Sequence, residues 1–475
     1  MSKRMRGKVS LVTLMVMALL CVPIASYSCT TVLVGKDVTA DGSVMHAHNE
    51  DMGPAAVGRL WAVEAVTHKT GETLEVPYVK IPQVEEAYQY WASGNAFASS
   101  GFGISAETRP YDYVLVGMNQ WGVTMSCNWM YSKEASMPGE GIRRYAIRQL
   151  LLERAKTARD AVKIIGDFID EYGQADWGGL GYCLADPHEA WLVETTTKHW
   201  VARRVKDDEI WVVANRFTIG KDYDLSSEGL VDVAKKNGWY DPSKGDFSFR
   251  DVYGRPDRMN QAYDKNREVR AMELLEHIKG FITPEDLFLV LRDRYEGTPK
   301  YTRPTHETIS RGARIARPIC TNNTCQSALV AHLRSDMPVE VGAVMWYAVA
   351  APYYSGFFPV YAGAMKIPEE FSNVNSAYSP DSAWWTFRML EKIGVTQYDI
   401  TNPLVTNFWI ANHANIVGKQ KDLEKRVLDL LNNNNKEDAV KLLNTFTSGQ
   451  AYKTLYHARR LLRLLQDSTN NVPIW

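Results

Sequence analysis

The segments Cys29-Thr-Thr-Val-Leu-Val-Gly35 and His48-Asn-Glu-Asp51 are the part of this sequence from which its fold can be worked out. The first segment is rich in β-branched and apolar residues, which favours a strand. Ala40-Asp-Gly-Ser43 has the composition of a turn, and the largely apolar run at 44–47 resumes an extended segment. The pattern predicts a β-hairpin whose second strand returns the polar residues at 48–51 to the end where Cys29 lies.

The residues before Cys29 have the pattern of a secretory signal peptide. Basic residues precede a largely apolar run at 11–22, and Ser26 and Ser28 are small residues at the positions that signal peptidase requires. The apolar run is too short to anchor the chain across a bilayer. The pattern predicts that residues 1–28 are removed, that the protein is exported, and that Cys29 becomes the new N-terminus.

An N-terminal Cys29 would combine a nucleophile and a base in one residue. A thiol has a pKa of about 8.5 and an α-amine of about 7.7–8.0, so the amine can accept the thiol proton near neutral pH. Lipid attachment is the alternative, although Ser26 stands where a lipidation signal has an apolar residue. Lipidation would acylate the amine, and the chain would then be a lipidated, non-enzymatic surface protein.

Composition restricts the kind of partner that this chain can have. Of 475 residues, 45% are hydrophobic and 23% are charged, which is typical of a folded globular protein. Lysine and arginine (54) nearly balance aspartate and glutamate (55), so no nucleic-acid partner is expected. No later apolar stretch is long enough for a membrane span. The sequence leaves open whether the chain forms a homo-oligomer.

The order of predicted elements indicates the fold class. A second strand pair is predicted within 113–128, one long helical stretch over 142–172, and a series of short strands within 181–214. From residue 382 onward the pattern is mostly helical. Strands and helices therefore do not alternate regularly, which favours antiparallel sheets covered by helices in an α+β architecture.

The cysteines other than Cys29 have ordinary structural interpretations. Cys127 and Cys183 lie in apolar strands and are predicted to be inert core thiols. Cys320 and Cys325 enclose four residues, and they either close a small loop through a disulfide or stay unpaired. Their spacings do not match a zinc site, and no metal or cofactor is expected.

Several motifs, taken in order, resemble the bacterial cysteine dipeptidases of the N-terminal-nucleophile hydrolase superfamily. The opening Cys29–Gly35 with Asn49-Glu-Asp51 carries most of the resemblance. The further matching stretches are Asp41-Gly-Ser43, Gly181–Asp186, Glu189–Glu194, Ala214-Asn215, Ser335–Pro338, Trp346 and Phe358–Tyr361. The resemblance implies a four-layer αββα hydrolase domain over residues 29–365 and a mostly helical C-terminal extension, 366–475, packed on that core.

The resemblance also implies a role for individual residues. Cys29 would attack the scissile carbonyl, and Asp51 would hold and orient its amine. Asn215 would donate to the oxyanion, and Asn128 matches an asparagine near the oxyanion site. Relatives often carry arginine where this chain has His48, and imidazole favours a thiolate only when it is protonated.

The resemblance defines two features of the site less well, namely the substrate and the arginine that completes the site. The resemblance favours a dipeptide or short peptide, with Glu50 as a candidate for binding its free amine. An N-acyl amidase, similar to the bile-salt hydrolases or penicillin acylases, is the alternative on the same fold. Arg311, Arg314 and Arg317 are candidates for the arginine that completes the site.

A metal hydrolase is a further alternative, because His46-Ala-His48 follows a predicted strand. Alternate residues of a strand face the same side, so the two imidazoles could share a metal ion. Barrel hydrolases with such a pair take their other ligands from later strands of a β/α alternation. The absence of that alternation argues against this interpretation.

We expect the mature protein to begin at Cys29 with a free α-amine, because Ser26 and Ser28 precede the bond to be cut and a strand follows it. Sequencing or mass spectrometry of the mature N-terminus measures this directly. A different first residue, or an acylated Cys29, would contradict the self-activated thiol.

Overall fold

A computed structural model describes residues 29–53, 56–95, 113–137, 139–175, 178–301, 318–321, 324–374, 377–396 and 398–469. The predicted signal peptide, residues 1–28, lies outside the described residues. The candidate arginines at 311, 314 and 317 also lie outside them.

The described chain combines strands and helices throughout. The strands are β1 (Thr30–Val34), β2 (Val44–Asp51), β3 (Gly58–Val63), β4 (Val66–Thr67), β5 (Thr73–Val76), β6 (Val79–Pro82), β7 (Glu86–Ala87), β8 (Tyr90–Asn95), β9 (Tyr113–Asn119), β10 (Thr124–Met130), β11 (Gly179–Ala185), β12 (Ala190–Thr195), β13 (Trp200–Val205), β14 (Ile210–Val213), β15 (Leu225–Ser226), β16 (Cys325–Leu333), β17 (Ala343–Val349) and β18 (Phe358–Tyr361). The helices are α1 (Arg144–Arg154), α2 (Ala158–Tyr172), α3 (Leu230–Lys236), α4 (Phe249–Tyr253), α5 (Pro256–Met259), α6 (Ala262–Leu275), α7 (Pro284–Arg292), α8 (Val339–Gly342), α9 (Glu369–Ser372), α10 (Ala383–Thr396), α11 (Tyr398–Asn432) and α12 (Lys436–Thr469).

One sheet is built around the predicted N-terminal hairpin, which the structure confirms. Its strand order is β14-β1-β2-β16-β17-β18, and each neighbouring pair is antiparallel. Thr30 lies opposite Asn49, and Val34 lies opposite Met45. All residues of β1 and β2 are buried, so these two strands form the centre of the sheet rather than an edge.

The other large sheet contains the strands that were predicted in the middle of the chain. Its order is β15-β13-β12-β11-β10-β9-β8-β3, again antiparallel. Asn128 of β10 lies opposite Gly181 of β11. The predicted strand pair within 113–128 is therefore present as β9 and β10.

Buried hydrogen bonds join the two large sheets. His46 of β2 lies 2.9 Å from the Thr124 hydroxyl and 2.8 Å from the Ser126 hydroxyl, both on β10. Thr31 of β1 donates to the Asn128 side-chain oxygen of β10 at 2.6 Å. Burial lowers the pKa of His46 to about 3, so its imidazole is neutral and both ring nitrogens are used between the sheets. Polar groups in this position need such partners to offset their loss of water.

Helices pack on both large sheets. Helices α1 and α2 pack on β9 and β12, and α7 packs on β16 and β2. The helical stretch predicted over 142–172 is present, but it is divided into two helices, α1 and α2, by a break that was not predicted. Thr157 explains the break, because its side chain accepts from the Asp160 backbone while Asp160 accepts from the Thr157 backbone. This capping box begins a new helix and ends the old one at Arg154.

The C-terminal region is helical in its described part, as predicted. Helices α10, α11 and α12 pack on one another, and α12 also packs on β18. Arg334, which directly follows β16, forms a bidentate ion pair with Glu424 of α11. The α+β class is confirmed, and the domain boundary between 365 and 366 stays a prediction. Within the described residues, no helix is both long and apolar enough to cross a membrane.

Two helical glycines give a matched test of this packing. A Cβ at Gly166 of α2 would lie 2.5 Å from the Trp200 ring, whereas a Cβ at Gly449 of α12 would meet nothing within 4 Å. We expect Gly166→Ala to lower the free energy of unfolding by about 1–3 kcal/mol through overpacking. We expect Gly449→Ala to raise it by up to about 1 kcal/mol through helix propensity. Denaturant unfolding of both variants measures this, and equal effects at the two sites would contradict the packing of α2 on Trp200.

Candidate functional site

The register of β1 and β2 places the Cys29 thiol against Glu50. The distance from Cys29 Sγ to Glu50 Oε1 is 3.5 Å, and both residues are almost completely buried. His46, His48 and Glu50 alternate along β2 and therefore face the same side of the strand. Two of these three polar side chains come together at the end of β2 beside Cys29.

His48 links Glu50 to the hydroxyl of Thr31. The distance from His48 Nε2 to Glu50 Oε2 is 3.1 Å, and the distance from His48 Nδ1 to Thr31 Oγ1 is 2.7 Å. Thr31 in turn donates to Asn128 Oδ1. A continuous path of hydrogen bonds therefore runs from the Cys29 thiol to Asn128.

The orientation of Asn128 fixes the direction of every bond in this path. Its Nδ2 donates to the backbone oxygens of Val213 at 3.1 Å and Ala214 at 3.0 Å, which leaves Oδ1 as an acceptor. The Thr31 hydroxyl gives its proton to that oxygen, so it accepts from Nδ1–H of His48. A second proton is then shared between His48 Nε2 and the Glu50 carboxylate.

Electrostatics explain why the Glu50 carboxyl is ionised while the neighbouring Cys29 thiol keeps its proton. Burial alone would raise the pKa of Glu50, but the hydrogen bond and charge of His48, together with Arg148, bring it below its ordinary value. Burial raises the pKa of the Cys29 thiol well above its ordinary value, and Glu50 and Asp51 raise it further. A hydrogen bond from the Asp51 backbone and the charge of Arg148 oppose this rise. The resting thiol is therefore protonated, beside a carboxylate.

Arg148 is a cation of the site that the sequence did not reveal. A cavity of about 20 Å³, enough for one water molecule, lies beside Cys29 and is lined in part by Arg148, Cys127 and Trp129. Arg148 is 3% exposed, it contacts the Cys127 thiol, and its Nε and Nη1 have no hydrogen-bond partner among the described residues. Cys127 is a buried core residue, as predicted, and it also lines the site cavity.

Arg267 of α6 joins Cys29 to Asn215. Its guanidinium donates to the Cys29 carbonyl oxygen at 2.7 Å, to the Thr30 hydroxyl at 2.8 Å and to Asn215 Oδ1 at 2.9 Å. It also pairs with Asp264 at 2.6 Å, and both charged side chains are fully buried. A buried charge with this many partners holds the backbone on which the thiol sits.

Asn215 has an amide that is only partly used. Its Nδ2 donates to the Trp129 carbonyl at 3.0 Å, and its Oδ1 accepts from Arg267. Glu194 fixes the following loop by accepting from the backbone of Thr218 at 2.5 Å and of Ile219 at 3.1 Å. Among the described residues, one Asn215 amide hydrogen has no acceptor, since an amide nitrogen carries two and the other is given to Trp129.

The structure brings most of the predicted site residues together, with different contacts from those expected. Asp51 lies beside Cys29, donates to the sulfur through its backbone N–H, and accepts from the Thr321 hydroxyl at 2.6 Å. His48 contacts Glu50 rather than the thiol. Asn128 reaches the thiol only through the hydrogen-bond path, and its two amide hydrogens are given to backbone oxygens, so this geometry does not support an oxyanion role.

Four side chains near the site were missed, for three different reasons. Thr31 lies two residues after Cys29, and strand alternation could have indicated that both face the same side. Arg144 and Arg148 are four apart on α1, which places them on one helix face, although an arginine pair is common on surface helices. Arg267 is separated from Cys29 by 238 residues, and no local pattern predicts that contact.

The metal alternative does not survive in its original form, because His46 binds the hydroxyls of β10 instead of facing a site shared with His48. A different group, Cys29 with His48 and Glu50, has ligand atoms that all lie within 4.8 Å of one another.

All five cysteines from Cys29 onward are free, so Cys320 and Cys325 are unpaired.

A buried thiol with a carboxylate, an imidazole and two guanidinium groups around it is the kind of side-chain set found in hydrolases that use a cysteine nucleophile. The comparisons with known proteins agree with this class. The model of peptidase family C69 matches residues 28–411, and the chain therefore belongs to peptidase family C69. It is a peptide-bond hydrolase, and the resemblance to the bacterial cysteine dipeptidases is confirmed.

Curated relatives are similar over most of their length. A probable dipeptidase of Latilactobacillus sakei is 25% identical over 402 residues, covering 78% of this chain and 82% of the relative. A probable dipeptidase of Salmonella dublin is 28% identical over 376 residues, covering 71% and 81%. A solved structure, a mutant of the conjugated bile acid hydrolase from Clostridium perfringens, is similar over 74% of this chain and 98% of its own, with a TM-score of 0.40 and 13% identity.

Thr31 offers a test of the hydrogen-bond path. Thr31→Val keeps the shape but leaves His48 Nδ1–H without its acceptor, and it leaves Asn128 Oδ1 with only the long contact from the Cys183 thiol at 3.9 Å. We expect it to lower the free energy of unfolding by about 1–3 kcal/mol and to reduce peptide hydrolysis, because buried polar groups are costly when unpaired. Thr31→Ser retains the hydroxyl and should keep most of both properties. Denaturant unfolding and a hydrolysis assay measure the pair, and a loss confined to Thr31→Ser would show that the methyl packing matters and the hydroxyl does not.

Proposed function

We propose that this chain is an exported cysteine dipeptidase that uses the thiol of processed Cys29 as its nucleophile. The observation that carries the proposal is the position of Cys29 at the start of a central strand, with its sulfur on Glu50 and its carbonyl held by Arg267. The relatives named as probable dipeptidases support the substrate class. The fold proposed with it is the four-layer αββα arrangement of the N-terminal-nucleophile hydrolases.

The base in this proposal is the α-amine of Cys29 itself. Because burial and two carboxylates raise the pKa of the thiol, a thiolate does not accumulate at rest, and a base has to remove the proton during attack. The amine of an N-terminal cysteine lies on the same residue as the sulfur. Asp51 lies close enough to act on the charge of Cys29, and its carboxylate would hold the protonated amine.

Attack of the sulfur on the scissile carbonyl carbon forms a tetrahedral oxyanion. Asn215 is the proposed donor, since Arg267 and Trp129 fix its side chain while one amide hydrogen remains. The amine then gives its proton to the leaving nitrogen, and the C–N bond breaks to leave a thioester on Cys29. Water, deprotonated by the same amine, hydrolyses the thioester and restores the thiol.

The charge of the arginines near Cys29, rather than the size of the one-water cavity, supports short peptides as substrates. Arg144 lies with its guanidinium carbon 4.6 Å from the centre of the Trp129 ring, and Arg148 is beside it on α1. A positive lining next to the nucleophile suits the free C-terminal carboxylate of a dipeptide, which lies only one residue beyond the scissile bond. Glu50 was predicted to bind the substrate amine, and its contacts with the thiol and His48 support a role in holding the thiol instead.

Two cysteines on one cavity give a direct test of the nucleophile. We expect Cys29→Ser to lower kcat for dipeptide hydrolysis by at least about 100-fold, because a hydroxyl is a far poorer nucleophile when its base is an α-amine. Cys127→Ser changes the same atom on the same cavity and should retain most activity. Purified mature enzyme is assayed with dipeptides, longer peptides and N-acyl amino acids. Retained turnover in Cys29→Ser with loss in Cys127→Ser would reassign the nucleophile, and preference for N-acyl amino acids would favour the acylase alternative.

A further inference from the structure

We propose that Cys29, His48 and Glu50 form a reversible inhibitory site for a thiophilic divalent cation such as Zn²⁺, with the α-amine of processed Cys29 as the fourth ligand. The amine ligand and the inhibition rest on the proposed function, whereas the three side-chain ligands do not. The cation would occupy the nucleophile and its base together, so it would block catalysis without being a cofactor.

The three ligand groups lie close to the spacing that zinc requires. Zinc binds sulfur at about 2.3 Å and nitrogen or oxygen at about 2.0–2.2 Å, and a tetrahedron with these bonds separates its ligands by about 3.3–3.7 Å. The distance from Cys29 Sγ to Glu50 Oε1 is 3.5 Å, and from His48 Nε2 to Glu50 Oε2 it is 3.1 Å. All three ligands lie within 4.8 Å of one another, so only small side-chain adjustments separate this arrangement from a coordination shell.

The imidazole is also oriented as a metal ligand needs to be. A ligating histidine normally donates its other ring N–H to a fixed acceptor, which sets the tautomer and directs the ligating nitrogen. His48 Nδ1–H donates to Thr31 Oγ1 at 2.7 Å, and Thr31 is fixed by Asn128, whose amide is held by two backbone oxygens. Nε2 therefore faces the thiol and the carboxylate.

Charge and proton balance are both satisfied. Binding releases the thiol proton and the proton shared by His48 and Glu50 to solvent, and the thiolate and carboxylate then neutralise the two charges of the cation. The amine and sulfur of Cys29 close a five-membered chelate ring around the metal. Arg148 on the same cavity repels a cation, so binding should be weaker than at a closed structural zinc site, which suits reversible inhibition.

Metal binding is measured first, independently of catalysis. Mature, chelator-treated protein is titrated with Zn²⁺ by calorimetry and with Co²⁺ by absorption, where a thiolate-to-cobalt charge-transfer band reports sulfur ligation. We expect one equivalent to bind, the band to be absent in Cys29→Ser, and affinity to fall at least about tenfold in His48→Gln. Cys127→Ser, the matched thiol on the same cavity, should bind normally. Unchanged binding in Cys29→Ser, or loss of the band in Cys127→Ser, would overturn the proposed site.

Activity then separates this proposal from the proposed function. Dipeptide hydrolysis should fall as the Zn²⁺ site fills and return when a chelator is added. If the metal-free protein binds Co²⁺ through Cys29 but hydrolyses no peptide, the proposed function fails and the side-chain site stands. If the metal-free protein is active and neither binds nor responds to Zn²⁺, the site fails and the proposed function stands. Full activity with the site saturated would overturn the inhibitory role.

Discussion

The antiparallel register between β1 and β2 is the constraint on which the site depends. Thr30 faces Asn49, so the residue before β1 meets Glu50 near the end of β2. Side chains alternate along a strand, and a slip of one residue would turn His48 and Glu50 to the opposite face. Both strands are buried throughout and flanked by β14 and β16, so such a slip would place polar groups in the core without partners. Burial thus fixes the geometry of the thiol.

The hydrogen-bond path between the sheets also determines where the protons lie at Thr31 and His48. Asn128 can hold two backbone oxygens only with its amide nitrogen, and this choice determines which partner donates at Thr31 and at His48. In a low-dielectric interior such a network is stable when every member is satisfied and costly when one is removed. The same residues that join the sheets therefore also set the protonation of the groups around Cys29.

Sequence reasoning succeeded where the determining interactions are local. The hairpin, its polar end beside Cys29 and the α+β class follow from turn composition, alternation and the order of elements. The helical stretch predicted over 142–172 is interrupted because a capping box at Thr157 outweighs continuous apolar spacing. Arg148 and Arg267 could not be predicted, since each reaches Cys29 through tertiary packing. For Asn128 the resemblance indicated the correct neighbourhood, but the use of its amide depends on the backbone oxygens at 213 and 214.

The electrostatics of Cys29 connect the proposed chemistry to processing of the chain. Burial and the charges of Glu50 and Asp51 all oppose a thiolate, while Arg148 and one backbone N–H favour it to a smaller extent. Before cleavage the nitrogen of residue 29 belongs to a peptide bond and has no basic lone pair, so the thiol has neither a low pKa nor its own base. Cleavage would supply the base at the atom where it is needed. On the proposed mechanism, the surroundings that suppress the thiolate are therefore what make activity depend on a free N-terminus.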